Sequence, residues 1–142
     1  MNLLRGRYQT GDGGGTLRLG SATIKVAGAP ASLADYNGRE VAVGIRPEHI
    51  SEGTAASGDN TLSGKVTVRE GLGSEVILHI EVDADGVDTE AVRDAMESEK
   101  AGQTVSARLP PRTPLKLDET AHLVVDPEQL HLFDLESGLA IR

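Results

Sequence analysis

The sequence predicts a mainly β domain, on three observations. Apolar and polar residues alternate with period two in several short runs. Those runs are separated by turns containing Gly or Pro. The apolar residues are almost all aliphatic, with Tyr8, Tyr36 and Phe133 as the whole aromatic set. Alternation with period two gives a strand one core face and one wet face, and Val, Ile and Thr suit a pleated surface.

Residues 3–9 are expected as a first strand, ending in the flexible Thr10-Gly11-Asp12-Gly13-Gly14-Gly15. Thr16-Leu17-Arg18-Leu19 and Thr23-Ile24-Lys25-Val26 alternate on either side of Gly20-Ser21, the pattern of a hairpin. Small, turn-forming residues fill 28–38. From Glu40 to Arg46 the alternation returns, with Val41, Val43 and Ile45 on one face. Pro47 stops this strand, because it lacks a backbone N–H and holds φ at about −65°. Residues 51–60 are poor in apolar side chains and read as loop.

A longer hairpin follows: Leu62 to Glu70, the turn Gly71-Leu72-Gly73-Ser74, then Glu75 to Val82. The period changes over 87–100. Asp88 is a suitable N-cap, Val87 and Val92 form a hydrophobic staple around it, and Gly102 is a stop. One short, acidic α-helix is therefore expected near residues 88–100. Strands are expected again at 104–109, 122–125 and 130–133, with Pro110-Pro111 and Pro114 stiffening the loop after the first of these.

A net charge of −8 opposes binding to nucleic acid, which depends on Lys and Arg displacing counterions. It equally opposes an anionic membrane surface. Base stacking needs aromatic faces that this chain lacks. Without cysteine there is no disulfide framework, thiolate metal site or Cys nucleophile. Aliphatic runs such as Val76-Ile77-Leu78 are too short to span a bilayer, and the N-terminus lacks the apolar core of a signal peptide. The expected location is the cytosol.

Chemistry-bearing motifs are missing. Gly11–Gly15 is glycine-rich, but no Lys follows at the phosphate-loop position and a strand, not a helix, comes next. There is no G-x-S-x-G elbow. His122 and His131 lie near Asp126 and Asp134, with a spacing that matches no metal signature. Asp83-Ala84-Asp85 and Glu97-Ser98-Glu99 read as solvent-facing charge. No catalytic, cofactor-binding or metal-ligating residue is expected here.

One pattern occurs twice. Val43-Gly44-Ile45-Arg46-Pro47-Glu48-His49-Ile50 is echoed by Val124-Val125-Asp126-Pro127-Glu128-Gln129-Leu130. Each copy is an apolar run, a charged stop, Pro-Glu, a polar residue and a large aliphatic. The repeat suggests two related β halves, about 1–60 and 61–142, within a single domain 1–142. Coincidence is the alternative, since Pro-Glu is a common way to leave a strand.

The same residues carry a family resemblance. Glu40 to Ile50 resembles the segment that follows the ATPase core in sugar-importing ABC transporter ATP-binding subunits of the MalK/UgpC type. Gly64 to Glu75 is similar to their strand pair with a Glu-x-Leu-Gly-x-Glu turn. Asp126-Pro127-Glu128-Gln129-Leu130-His131-Leu132-Phe133-Asp134, with Gly138 four residues on, resembles their closing segment, and Met1 to Arg7 their domain junction.

The resemblance implies a C-terminal regulatory domain built from OB-like β-barrel modules of the TOBE type. Its structural and regulatory candidates are Gly44, Arg46, Pro47, Glu48, His49, Gly73, Phe133, Asp134 and Gly138. Arg46 and Glu48 are expected to hold the first corner through charge-assisted hydrogen bonds, and Asp134 the second. No Walker motif is present, so ATP and Mg²⁺ would be handled by the ATPase domain of a parent subunit. Implied partners are a second copy of that subunit, membrane permease subunits and a regulatory protein, at the inner face of the cell membrane. The alternative is a small-ligand module taking molybdate or a similar oxyanion, with Gly73-Ser74 and Ser106-Ala107-Arg108 as donors.

Overall fold

The structure, a computed structural model, describes residues 1–11, 14–26, 30–87 and 104–142. The helix expected near 88–100 lies outside the described residues. The described chain is mainly β, as the alternation predicts. Its strands are β1 (Asn2–Gly11), β2 (Gly14–Leu19), β3 (Ala22–Val26), β4 (Glu40–Ile45), β5 (Ile50–Glu52), β6 (Thr61–Gly71), β7 (Val76–Glu81), β8 (Thr104–Leu109), β9 (Thr120–Val125) and β10 (His131–Phe133). A two-turn 3-10 helix occupies Ala31–Tyr36, and single 3-10 turns occupy Pro47–His49 and Pro127–Gln129.

The strands form two antiparallel five-stranded sheets, ordered β10-β4-β1-β2-β3 and β5-β9-β6-β7-β8. The orders correspond strand for strand. Each sheet has a short strand from across the molecule, the strand that precedes a Pro-Glu corner, and then a three-strand meander. The apolar faces meet in one core. Leu4, Leu17, Ile24 and Val43 from the first sheet cluster with Leu62, Leu78, Ile80 and Leu123 from the second. A smaller cluster of Leu3, Ala42 and Val87, with Phe133 and Leu135 against it, covers the outer face of the first sheet.

Residues 51–60 were expected as loop, but Ser51 and Glu52 belong to β5. Their strand form comes from pairing with β9, Ile50↔Val125, Ser51↔Val124 and Glu52↔Leu123. A partner strand supplies what a polar tripeptide lacks in propensity.

Candidate functional site

The two Pro-Glu motifs meet at the centre of the molecule. Each forms a 3-10 turn with Pro at its start, closed by His49 N–H donating to the Arg46 carbonyl (2.9 Å) and Gln129 N–H donating to the Asp126 carbonyl (3.2 Å). At the first corner the chain leaves β4 in the first sheet and enters β5 in the second. At the second corner it leaves β9 in the second sheet and enters β10 in the first. The exchange is reciprocal in register. Ser51 pairs with Val124 and Glu52 with Leu123, while at the positions aligned by the motif His131 pairs with Gly44 and Leu132 with Val43. Asp126 N–H also donates to the His49 carbonyl at 3.1 Å, joining one corner to the other.

A pair of asparagines clamps the sheets on either side of this exchange. Asn2, at the start of β1, accepts from Ser106 N–H (2.8 Å) through its side-chain oxygen. Its amide donates to the Ser106 carbonyl (2.8 Å) and the Ile45 carbonyl (3.1 Å). Asn60, just before β6, accepts from Lys25 N–H at 2.7 Å. Ser106 and Lys25 hold corresponding places in edge strands β8 and β3, as the pairings Ile80↔Val105 and Leu17↔Ile24 establish. Asn60 has φ 66°, a conformation Asn tolerates better than most side chains. Neither residue stands out by charge or hydropathy. The available signal was the repeated string Asn2-Leu3-Leu4-Arg5-Gly6 and Asn60-Thr61-Leu62-Ser63-Gly64.

Most of the sequence-predicted residues converge here. Gly44 is buried in β4, opposite Leu3 on one side and His131 on the other. Arg46, Pro47, Glu48 and His49 form the first corner. Burial lowers the His131 pKa, and the nearby Arg46 guanidinium lowers it further. Phe133 packs on the outer-face cluster. Gly73, with φ 84°, lies instead at the tip of the β6–β7 hairpin.

Among the described residues, Arg46 and Glu48 make no side-chain hydrogen bond or ion pair; backbone bonds hold the first corner. Glu48 lies near Arg108, whose guanidinium is paired bidentately with Glu75 at 2.6 Å for both bonds.

Asp134 is the most highly connected carboxylate of the closing segment. It accepts from Tyr36 O–H (2.7 Å), Glu136 N–H (2.8 Å) and Ser137 N–H (2.8 Å). These donors, Tyr36 foremost and then the backbone of Ser137, hold its pKa down at about 2. The same bond raises the Tyr36 pKa. Gly138, at φ 73°, closes this turn by donating its N–H to the Asp134 carbonyl at 2.9 Å. The Arg39 guanidinium stacks 4.8 Å from the Tyr36 ring centre. Around these groups lies a polar cleft of about 550 Å³, which Ser32, Asp35 and Arg142 also line. Tyr36 had no sequence signal for this role; its partner lies in the closing segment. Among the described residues, no group of three or more His, Asp or Glu could hold a metal ion.

Comparison with known proteins separates the two ends of this arrangement. A family model described as the MalK OB fold domain matches residues 1–50, and one described as the TOBE domain matches residues 43–100. The chain belongs to the MalK-type OB/TOBE family. The two matches overlap across the first Pro-Glu corner, where the chain passes between sheets.

This OB/TOBE domain is 33% identical, over 86% of its length, to the sulfoquinovosyl glycerol transport ATP-binding protein SmoE of Agrobacterium fabrum. It is 32% identical over 75% of its length to the sn-glycerol-3-phosphate import ATP-binding protein UgpC of Yersinia pestis. It is 25% identical over its whole length to the oligosaccharides import ATP-binding protein MsmX of Bacillus subtilis. The matches cover 28%, 24% and 34% of those proteins, so the chain spans about a quarter to a third of their length. The resemblance carried by the corner and closing motifs is therefore borne out.

A solved structure of the cytoplasmic molybdate-binding protein ModG superposes with a TM-score of 0.62. It covers 92% of this chain and 94% of that one at 12% identity, a likeness of fold.

Proposed function

We propose that the chain is the regulatory and dimerisation module of the ATP-binding subunit of a carbohydrate ABC importer. The observation that carries this reading is the alignment of nearly the whole chain with import ATP-binding proteins. In this reading ATP and Mg²⁺ act in a nucleotide-binding domain of the parent subunit, at the inner face of the cell membrane, and permease subunits are engaged through that domain. The chain itself performs no catalysis. It contacts a second copy and, on occasion, a regulatory protein. Such contacts regulate only if they differ between the resting and closed states of the transporter.

The two-sheet construction supports the role mechanically. A unit with one core and two exchanged strands moves as a body, so a contact made at one end displaces the other. The reading as two related β halves accords with the shared strand order, and we hold it as part of the same proposal.

The ModG likeness favours a second reading, an oxyanion-binding module. The donors named for it are largely engaged internally. Ser106 N–H goes to Asn2, and Arg108 to Glu75. Sedimentation velocity and calorimetry on the 142-residue chain separate the readings. The importer reading expects concentration-dependent dimerisation and no heat with molybdate. A strict monomer that binds molybdate stoichiometrically would replace it with the oxyanion reading.

A further inference from the structure

The polar cleft of about 550 Å³ lies between the 3-10 helix Ala31–Tyr36 and the closing segment 137–142. The side chains that line it fall into two sets. Tyr36, Asp134 and Ser32 are engaged within the protein: Tyr36 O–H donates to the Asp134 carboxylate, and Ser32 Oγ donates to the Arg142 carbonyl. Asp35, Arg39 and the Arg142 guanidinium are not. Among the described residues, none of these three side chains makes a hydrogen bond or an ion pair, and Arg39 only stacks on the Tyr36 ring. A carboxylate and two guanidiniums thus share one cleft without closing on one another.

The backbone adds one donor and one acceptor. Bonds from Asp134 N–H to the Leu139 carbonyl (2.9 Å) and from Ile141 N–H to the Leu132 carbonyl (2.8 Å) flank the bridge between Phe133 and Ala140. Phe133 and Ala140 are therefore a non-hydrogen-bonded pair, and the N–H and C=O of Ala140 point away from β10. They lie on the side where the Arg142 carbonyl meets Ser32. Neither has a hydrogen-bond partner among the described residues. Leu139, beside them, is 68% exposed, more than any other large apolar side chain described.

We propose that this cleft binds a carbohydrate of one or two sugar rings. Groups of both signs, donors and acceptors, are mixed around it, which suits hydroxyls that both donate and accept. A cluster of one sign would suit an ion instead; here Asp35 opposes any anion that Arg39 and Arg142 attract. Asp35 accepts from sugar hydroxyls, Arg39 and Arg142 donate to them, and Ala140 offers one backbone group of each kind. Leu139 covers the apolar C–H face of a ring. Small-ligand pockets run at about 300–1,000 Å³, a range that includes this cleft. The bound sugar spans the 3-10 helix and the closing segment, which the Tyr36–Asp134 bond already joins. This inference rests on the chemistry of the cleft and not on the transporter reading, so a failed dimerisation test leaves it standing.

The test titrates the 142-residue chain with glucose, galactose, mannose, maltose and sucrose, and in parallel with glucuronate and inorganic phosphate, read by amide NMR. At least one neutral sugar should give saturable shifts at residues 32–39 and 137–142. Asp35→Ala and Arg39→Ala, at exposed positions, should each weaken that sugar about tenfold, the loss of a hydrogen bond to a charged group. Arg18→Ala, exposed on the first sheet, should leave its affinity unchanged. No saturation by any neutral sugar at about 50 mM would overturn the proposal. Binding of glucuronate or phosphate alone, shifts that saturate only elsewhere, or affinity indifferent to Asp35→Ala and Arg39→Ala would overturn it equally.

Discussion

The two corners through which the sheets trade strands are alike in backbone and unlike in side chains. Both turn at Pro-Glu and both pass the chain to the opposite sheet in the same register. At the second corner the Asp126 carboxylate accepts from Glu128 N–H at 3.0 Å. The first corner has no such cap, and Arg46 faces solvent. Paired backbone thus makes the exchange, and side chains adjust each corner separately. The same contrast runs through the glycines and asparagines of the two sheets. Substitutions at matched positions should therefore differ in cost.

The largest contrast is expected between Gly64 and Gly6, which hold matching places in β6 and β1. A Cβ on Gly64 falls far inside contact distance of the Glu81 carbonyl oxygen, which belongs to backbone and cannot step aside. On Gly6 the nearest atom is a Val43 methyl carbon at 3.0 Å. Gly64→Ala should cost about 3 kcal/mol or more and Gly6→Ala about 1 kcal/mol in urea denaturation. Equal costs would show that the sheets are packed alike at this layer.

The asparagine clamps come next. Asn2 is 3% exposed and bonds both backbone polar groups of Ser106, so Asn2→Ala should cost about 2–3 kcal/mol by removing these bonds. Asn60→Gly keeps the left-handed backbone and removes one bond near the surface. It should cost about 1 kcal/mol.

Asp134, expected to hold the second corner, instead holds the turn after β10 and Tyr36, because Asp126 already caps that corner; it provides a pH test. Its folded pKa is about 2, below the unfolded value of about 3.9. The carboxylate's contribution is therefore fully present above about pH 4 and is lost as pH falls through 2. Asp134→Asn should lower stability by about 1 kcal/mol at pH 7, and the deficit should shrink between pH 4 and pH 2. A pH-independent deficit would mean that shape, not charge, is what the Tyr36 bond requires. The smallest effect belongs to Arg46→Ala, expected within about 0.5 kcal/mol in thermal unfolding. A larger loss would show that the first corner does depend on its side chains.

Much of the strand order was legible from alternation, because each hairpin is written in neighbouring residues. Val76, Leu78 and Ile80 point inward as their period requires, and Pro47 and Pro127 mark the two stops. What could not be read depends on residues far apart in the chain. β5 has little strand propensity of its own and exists because β9 lies beside it. Asn2 clamps the sheets only because Ser106 arrives from the other sheet, and the Asp134 carboxylate is held only because Tyr36 reaches it. The charge of Arg46 and Glu48 suggested a bonded corner, but short-range charge does not say where the backbone has already satisfied itself.

Reciprocal exchange makes the two sheets one cooperative unit. Native-state hydrogen exchange in rising urea tests it most directly, read at β1 and β4 for the first sheet and β6 and β9 for the second. The account predicts that the slowest amides of both sheets converge on one opening free energy, and that Asn2→Ala lowers both by the same amount. Separate opening of one sheet, with the other keeping its full protection, would contradict it.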